Sequence, residues 1–136
     1  VKELGLQPTK EYMIESLYVN PSAARSATEK LLKLPDRPTC ILLPDDVSAF
    51  GALDAITDAG LKIPEDISIA GYDGVLVSEL MNPRLTTIKQ NAAKIGEEAA
   101  RLLIHTIENK KNPILEPVIV EGELIIRDSI GHVSKV

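Results

Sequence analysis

Apolar positions along this chain fall into two alternating rhythms, short continuous runs and stripes that recur every three or four residues. The runs are Tyr12-Met13-Ile14-Glu15-Ser16-Leu17 and residues 39–43, 67–72 and 85–89. Short apolar runs bounded by turn residues predict buried strands, and the near-continuous character of residues 67–72 suits a central one. Between the runs lie three helical stripes, Ala24, Ala27, Leu31 and Leu34, then Ala49, Ala52, Leu53 and Ile56, then Ile95, Ala99, Leu102, Leu103 and Ile107. Each stripe is expected to face inward. The punctuation agrees with this division. Asn20-Pro21 sets a cap before a proline at the first helical position, Pro35 ends that helix, Asp46 caps the second, Gly60 gives it a left-handed stop and Asn91 caps the third. Lys110-Lys111 suit the negative pole of the third helix. Pro113 and Pro117 bound a loop, and Val118-Ile119-Val120 and Leu124-Ile125-Ile126 read as closing extended segments at or beyond the sheet edge. Strands alternating with helices predict an α/β fold, a three-layer parallel sheet with helices on both faces.

The 136 residues make one domain by length, and 44% apolar residues describe a soluble, core-forming chain. A net charge of −5 argues against this segment gripping a phosphate backbone, which takes clustered Lys and Arg. The apolar runs fall far short of the roughly 20 residues that span a bilayer, so no membrane partner is expected. The single Cys40 sits inside an apolar run and reads as a buried small hydrophobe, with no second cysteine for an internal disulfide. His105 and His132 lack Cys, His or carboxylate neighbours at metal-ligand spacing, so no metal is expected. The chain opens on Val1, and residues 2–8 read as the end of a helix running into a loop, so it is expected to start partway through a longer protein.

Polar residues cluster just past the strands. In open α/β sheets ligands bind outside the carboxyl ends of the strands. Tyr18 follows the first run, Asp45 and Asp46 the second, Asp73 the third and Gln90 the fourth. Asp73 followed by Gly74 is either a ligand contact or an ordinary turn. Asp46 stands directly before a helical stripe, which makes capping its default role and leaves Asp45 freer to face the crevice. Tyr18 either lays its ring against a ligand or packs beneath the first helix. No catalytic residue is assigned. Adjacent carboxylates on a strand end point apart, no His, Lys or Ser partner stands at a recognisable spacing, and neither a nucleophile elbow nor a phosphate loop is present. The ligand candidates are therefore Tyr18, Asp45, Asp73 and Gln90, with no cofactor. Beyond Gly74, Val75-Leu76-Val77 and Leu80-Met81 place five apolar side chains in seven residues. A connection this short cannot form a core of its own, and an exposed apolar patch is expected to find a partner.

Four linked segments carry a resemblance. Residues 44–53 (Pro44-Asp45-Asp46 to Leu53), 60–73 (Gly60-Leu61-Lys62-Ile63-Pro64-Glu65-Asp66 to Asp73), 83–90 (Pro83-Arg84-Leu85-Thr86-Thr87-Ile88-Lys89-Gln90) and 124–129 (Leu124-Ile125-Ile126-Arg127-Asp128-Ser129) closely resemble, in order and spacing, the lac/gal repressor family of bacterial transcription regulators. The likeness runs over almost the whole chain and implies that residues 1–136 are the carboxyl-terminal lobe of the effector-binding domain, a fold like the type I periplasmic sugar-binding proteins. It implies a cytoplasmic, sugar-responsive regulator, not an enzyme, that closes two lobes on a small polar effector. The DNA-binding domain and most of the amino-terminal lobe have no counterpart here, so operator DNA would be reached only through that missing domain. By the same resemblance Tyr18, Asp45, Asp73 and Gln90 match effector-contact positions, and Val75, Leu76, Leu80 and Met81 lie at a homodimer interface. Gly74 stands where the family commonly has Asp or Asn, and Asp45 where it often has Asn. The rival reading is an extracytoplasmic sugar-binding protein of a transport system, which shares the architecture.

Overall fold

The structure, a computed structural model, describes residues 9–110 and 116–132. The readings of residues 2–8, Lys111 and Pro113 lie outside the described residues. After a single 3-10 turn at Lys10–Tyr12, the elements run α1 (Pro21–Leu32), β1 (Cys40–Leu42), α2 (Ala49–Asp58), β2 (Ser68–Asp73), α3 (Val77–Leu80), β3 (Thr86–Lys89), α4 (Ala92–Glu108) and β4 (Glu123–Ile125). The sheet order is β1-β2-β3-β4. β1, β2 and β3 are parallel, with Ala70 opposite Leu42 on one side and Thr86 on the other, whereas β4 runs antiparallel to β3 and sets Ile125 opposite Thr87. The parallel core agrees with the sequence pattern, and β4 closes the sheet at its edge as expected, in the antiparallel direction.

Local chemistry explains most boundaries. Asn20 Oδ1 accepts from Ala23 N at 2.9 Å and Pro21 opens α1, while Asn91 Oδ1 accepts from Lys94 N at 3.0 Å at the head of α4. Gly60, at φ +74°, closes α2 with Gly60 N donating to Thr57 O and Leu61 N to Ile56 O, the paired bonds of a Schellman stop. α1 and α2 pack on each other. A Cβ at Gly51 would strike the backbone of Pro21 and Arg25, so only glycine lets the two helices approach this closely. Leu31, Ile41, Leu43, Ala49, Ala52, Ile56, Ile67, Ile69, Met81 and Leu85 form the core beneath them.

Several expectations fail, each for a readable reason. Residues 13–17 form no strand, because no strand among the described residues pairs with them; Met13 and Leu17 are exposed. Val118-Ile119-Val120 is also outside any strand. Cys40 is exposed rather than buried, since it sits on β1 at the sheet edge with Leu42 on the same open face. No residue of α4 is buried, so the stripe expected to face inward lies open instead, with Ile95, Leu103 and Ile107 all exposed. The segment after Gly74 contains the short helix α3, and Met81 turns into the core at 4% exposure instead of joining the surface patch.

Candidate functional site

Because β1, β2 and β3 are parallel, their carboxyl ends meet at one edge, and the polar residues that follow them are tied together by hydrogen bonds. Asp46 N donates to Tyr72 O at 2.9 Å, drawing the end of β1 against the end of β2. Gln90 Nε2 donates to Asp73 Oδ1 at 2.6 Å and Gln90 N to Asp73 O at 3.2 Å, tying β3 to β2. Asp73 and Gln90 are both half-buried, while the Tyr18 ring stands out at 74% exposure. Asp73 has φ +107°, an uncommon conformation for a residue with a Cβ, and Gly74 follows at φ +68°. A Cβ at Gly74 would collide with the backbone of Lys89, so the Asp or Asn of the related pattern cannot stand in this turn.

Neither aspartate stands as expected, since both are buried and held by hydrogen bonds. Asp45, expected to face the crevice, is only 2% exposed. Its Oδ1 accepts from Ser48 N at 2.7 Å, and its Oδ2 accepts from Ser48 Oγ at 2.8 Å and from Val19 N at 2.9 Å. Asp45 thus anchors the turn that enters α2. Asp46, expected to cap that helix, instead reaches the other way: Oδ1 accepts from Thr87 Oγ1 at 2.6 Å and Oδ2 from Val75 N at 2.9 Å. Adjacent side chains at a strand end point to opposite sides, and donors on both sides claim them. Burial pushes both carboxyls up, but the bonds from Val19 and Ser48 outweigh it and leave Asp45 below the ordinary value. At Asp46 burial wins over the bonds from Thr87, Val75 and Gly74, with the Asp73 charge adding to it, and the carboxyl lies above the ordinary value.

Other residues of consequence lie in the segment 124–129, which carries part of the resemblance but none of the expected site residues. At the opposite edge Ser129 is fully buried, its Oγ accepting from Thr86 N and donating to Ile69 O. Arg127 Nη1 donates to Ser78 Oγ at 3.0 Å and Leu85 O at 2.7 Å, and Nη2 meets Glu79 Oε1 at 3.1 Å, so one guanidinium braces α3. Serines and arginines serve so many local roles that the fold, not the residue type, decides which partners they meet. Beside Gln90 opens a cleft of about 640 Å³, lined by residues from 89–93 and by Glu121, Gly122 and Glu123. No group of three or more His, Cys, Asp or Glu able to hold a metal occurs among the described residues, and no described helix is long and apolar enough to cross a membrane.

The model of the periplasmic binding protein-like domain family matches residues 1–130. The chain belongs to this family. Within the family it is of the lac/gal repressor type. It is 36% identical over 134 residues to the HTH-type transcriptional repressor PurR of Mannheimia succiniciproducens, a match covering 98% of this chain and 40% of that protein. A Bacillus cereus subsp. cytotoxis protein named as a LacI transcriptional regulator superposes with TM-score 0.86 at 29% identity, over 96% of this chain and 45% of the other. A LacI family transcriptional regulator from Arthrobacter sp. FB24, in complex with lactose, superposes with TM-score 0.78 at 27% identity, over 96% of this chain and 48% of the other. The chain thus spans less than half the length of these relatives of the lac/gal repressor type.

Proposed function

We propose that this chain is the carboxyl-terminal, effector-sensing lobe of a cytoplasmic, sugar-responsive transcription regulator. The observation that carries the reading is the Asp73–Gln90 pair, a half-buried carboxylate and amide joined at 2.6 Å on the edge where three parallel strands end. A carboxylate accepts from the hydroxyls of a sugar, the amide offers donor and acceptor, and the exposed Tyr18 ring can lie against an apolar C–H face. Asp45 acts from behind this surface rather than touching the ligand. The second lobe and the DNA-binding domain belong to the rest of the regulator, and lobe closure would favour one state to the extent that the effector binds it more tightly. The lactose complex of the Arthrobacter regulator supports the sugar class.

The same edge sets the charge of the ligand. Asp73 stands there with Glu121 and Glu123 along the neighbouring cleft, three carboxylates against Lys89 as the one cation among the described lining residues, and the chain carries −5 overall. Neutral sugars should bind in preference to sugar phosphates. Calorimetry on the intact regulator with lactose, cellobiose, glucose and glucose 6-phosphate checks this. Tighter binding of the phosphate would contradict it.

A further inference from the structure

We infer that Asp45 is a positioning residue for the ligand edge, its buried carboxylate holding Val19 in a left-handed conformation and thereby fixing where the Tyr18 ring stands. The inference rests on the reading that Tyr18 faces the effector. Val19 has φ +51°, a region that a β-branched residue rarely enters. Packing does not hold it there, since Val19 is 65% exposed. What reaches it is the bond from its N–H to Asp45 Oδ2 at 2.9 Å, a charge-assisted bond to a carboxylate that is itself locked by Ser48 N and Ser48 Oγ. On the far side of the turn Asn20 is pinned by its cap to Ala23. The backbone that carries Tyr18 is therefore clasped to the connection between β1 and α2, directly beside the point where Asp46 meets Tyr72.

The arrangement demands a carboxylate. Three donors converge on the two oxygens of Asp45. An amide in its place keeps one oxygen for Ser48 N, and its NH2 can donate to the Ser48 hydroxyl, but the same NH2 meets Val19 N–H donor against donor. The flipped amide would instead set its NH2 against Ser48 N–H, which is fully buried and has no water to turn to, whereas Val19 is 65% exposed. Asp45→Asn therefore releases the Val19 turn and leaves the entry to α2 joined. The Asn in Val19→Asn enters the left-handed region far more readily than valine, so the double variant restores the turn without the clasp.

The test is amide hydrogen exchange and NMR on the 136-residue chain, with sugar calorimetry on the intact regulator. In the wild type, Val19 N–H should exchange at least about tenfold more slowly than a free peptide amide, and Asp45→Asn should abolish that protection while α1 and α2 stay protected. The Tyr18 ring resonances should shift in Asp45→Asn and return toward wild type in Val19→Asn/Asp45→Asn, and affinity for whichever of lactose, cellobiose or glucose binds should fall and recover in parallel. If Asp45→Asn does not fold, the wild type still decides: the Val19 amide resonance should move with the titration of the Asp45 carboxyl. An unprotected Val19 amide, one indifferent to that titration, or lost protection with unmoved Tyr18 resonances each overturn the inference. Failure of the wild-type regulator to bind any of the sugars overturns the functional reading instead, and exchange together with the Tyr18 resonances still judges the clasp.

Discussion

Asp45 and Asp46, adjacent at the end of β1, are each held by hydrogen bonds on opposite sides of the strand. That the two point apart follows from strand geometry, but which one turns toward α2 depends on where Ser48, Val19, Thr87 and Val75 bring their donors, and three of those partners lie outside the local segment. The pH dependence of stability follows from the same partners. For Asp45, held below the ordinary value, stability is present above about pH 3.9 and is lost as the pH falls through the folded value. Asp46 has the opposite sign: held above the ordinary value, its contribution is complete below about pH 3.9 and is lost as the pH rises through the folded value. Asp46→Asn cannot ionise, and its amide can donate to a rotated Thr87 hydroxyl while its oxygen accepts from Val75 N. Relative to wild type it should therefore gain thermal stability as the pH is raised from about 4 to about 7. Melting curves across that range check this, and a relative loss with rising pH would contradict it.

At the level of elements, boundaries set by local chemistry were legible and those set by partners were not. Asn20-Pro21, Gly60 and Asn91 act within a few residues of themselves, and the ends of α1, α2 and α4 fall where they indicate. Residues 13–17 have the composition of a strand, but a strand exists only when another pairs with it. The stripe along α4 shows the same limit: amphipathicity says which face would be buried, not what would bury it. Helix α3 is too short to be stable alone and is held through Arg127, whose long reach leaves no periodic trace. It presents Leu80, 73% exposed, beside Leu76 at 70% and Val75 at 42%. We propose this face as the seam of a two-fold dimer, with Met81 behind it in the core. Sedimentation of the 136-residue chain should show a dimer that Leu80→Asp converts to a monomer, because a carboxylate forced into an apolar seam loses hydration without gaining a partner. A monomeric wild type, or a dimer indifferent to the substitution, would assign the face to another purpose.

For the molecule as a whole, alternating rhythms pointed correctly to parallel strands, and parallel strands bring Asp45, Asp46, Asp73 and Gln90 to one edge. The direction of β4 carried no such signal, since a short apolar run reads the same either way. Edge and family together support an effector lobe in which Asp73 bears the central contact. Loss of that carboxylate should cost about 1.5 to 3 kcal/mol of effector binding without unfolding the lobe, since Asp73 is half-buried outside the core. The most direct measurement is operator binding by the intact regulator, wild type against Asp73→Ala, titrated with lactose, cellobiose and glucose. Wild-type operator affinity should change with at least one of these sugars, and the variant should bind operator with the same affinity but lose that response. An Asp73→Ala regulator that responds as wild type does would contradict it.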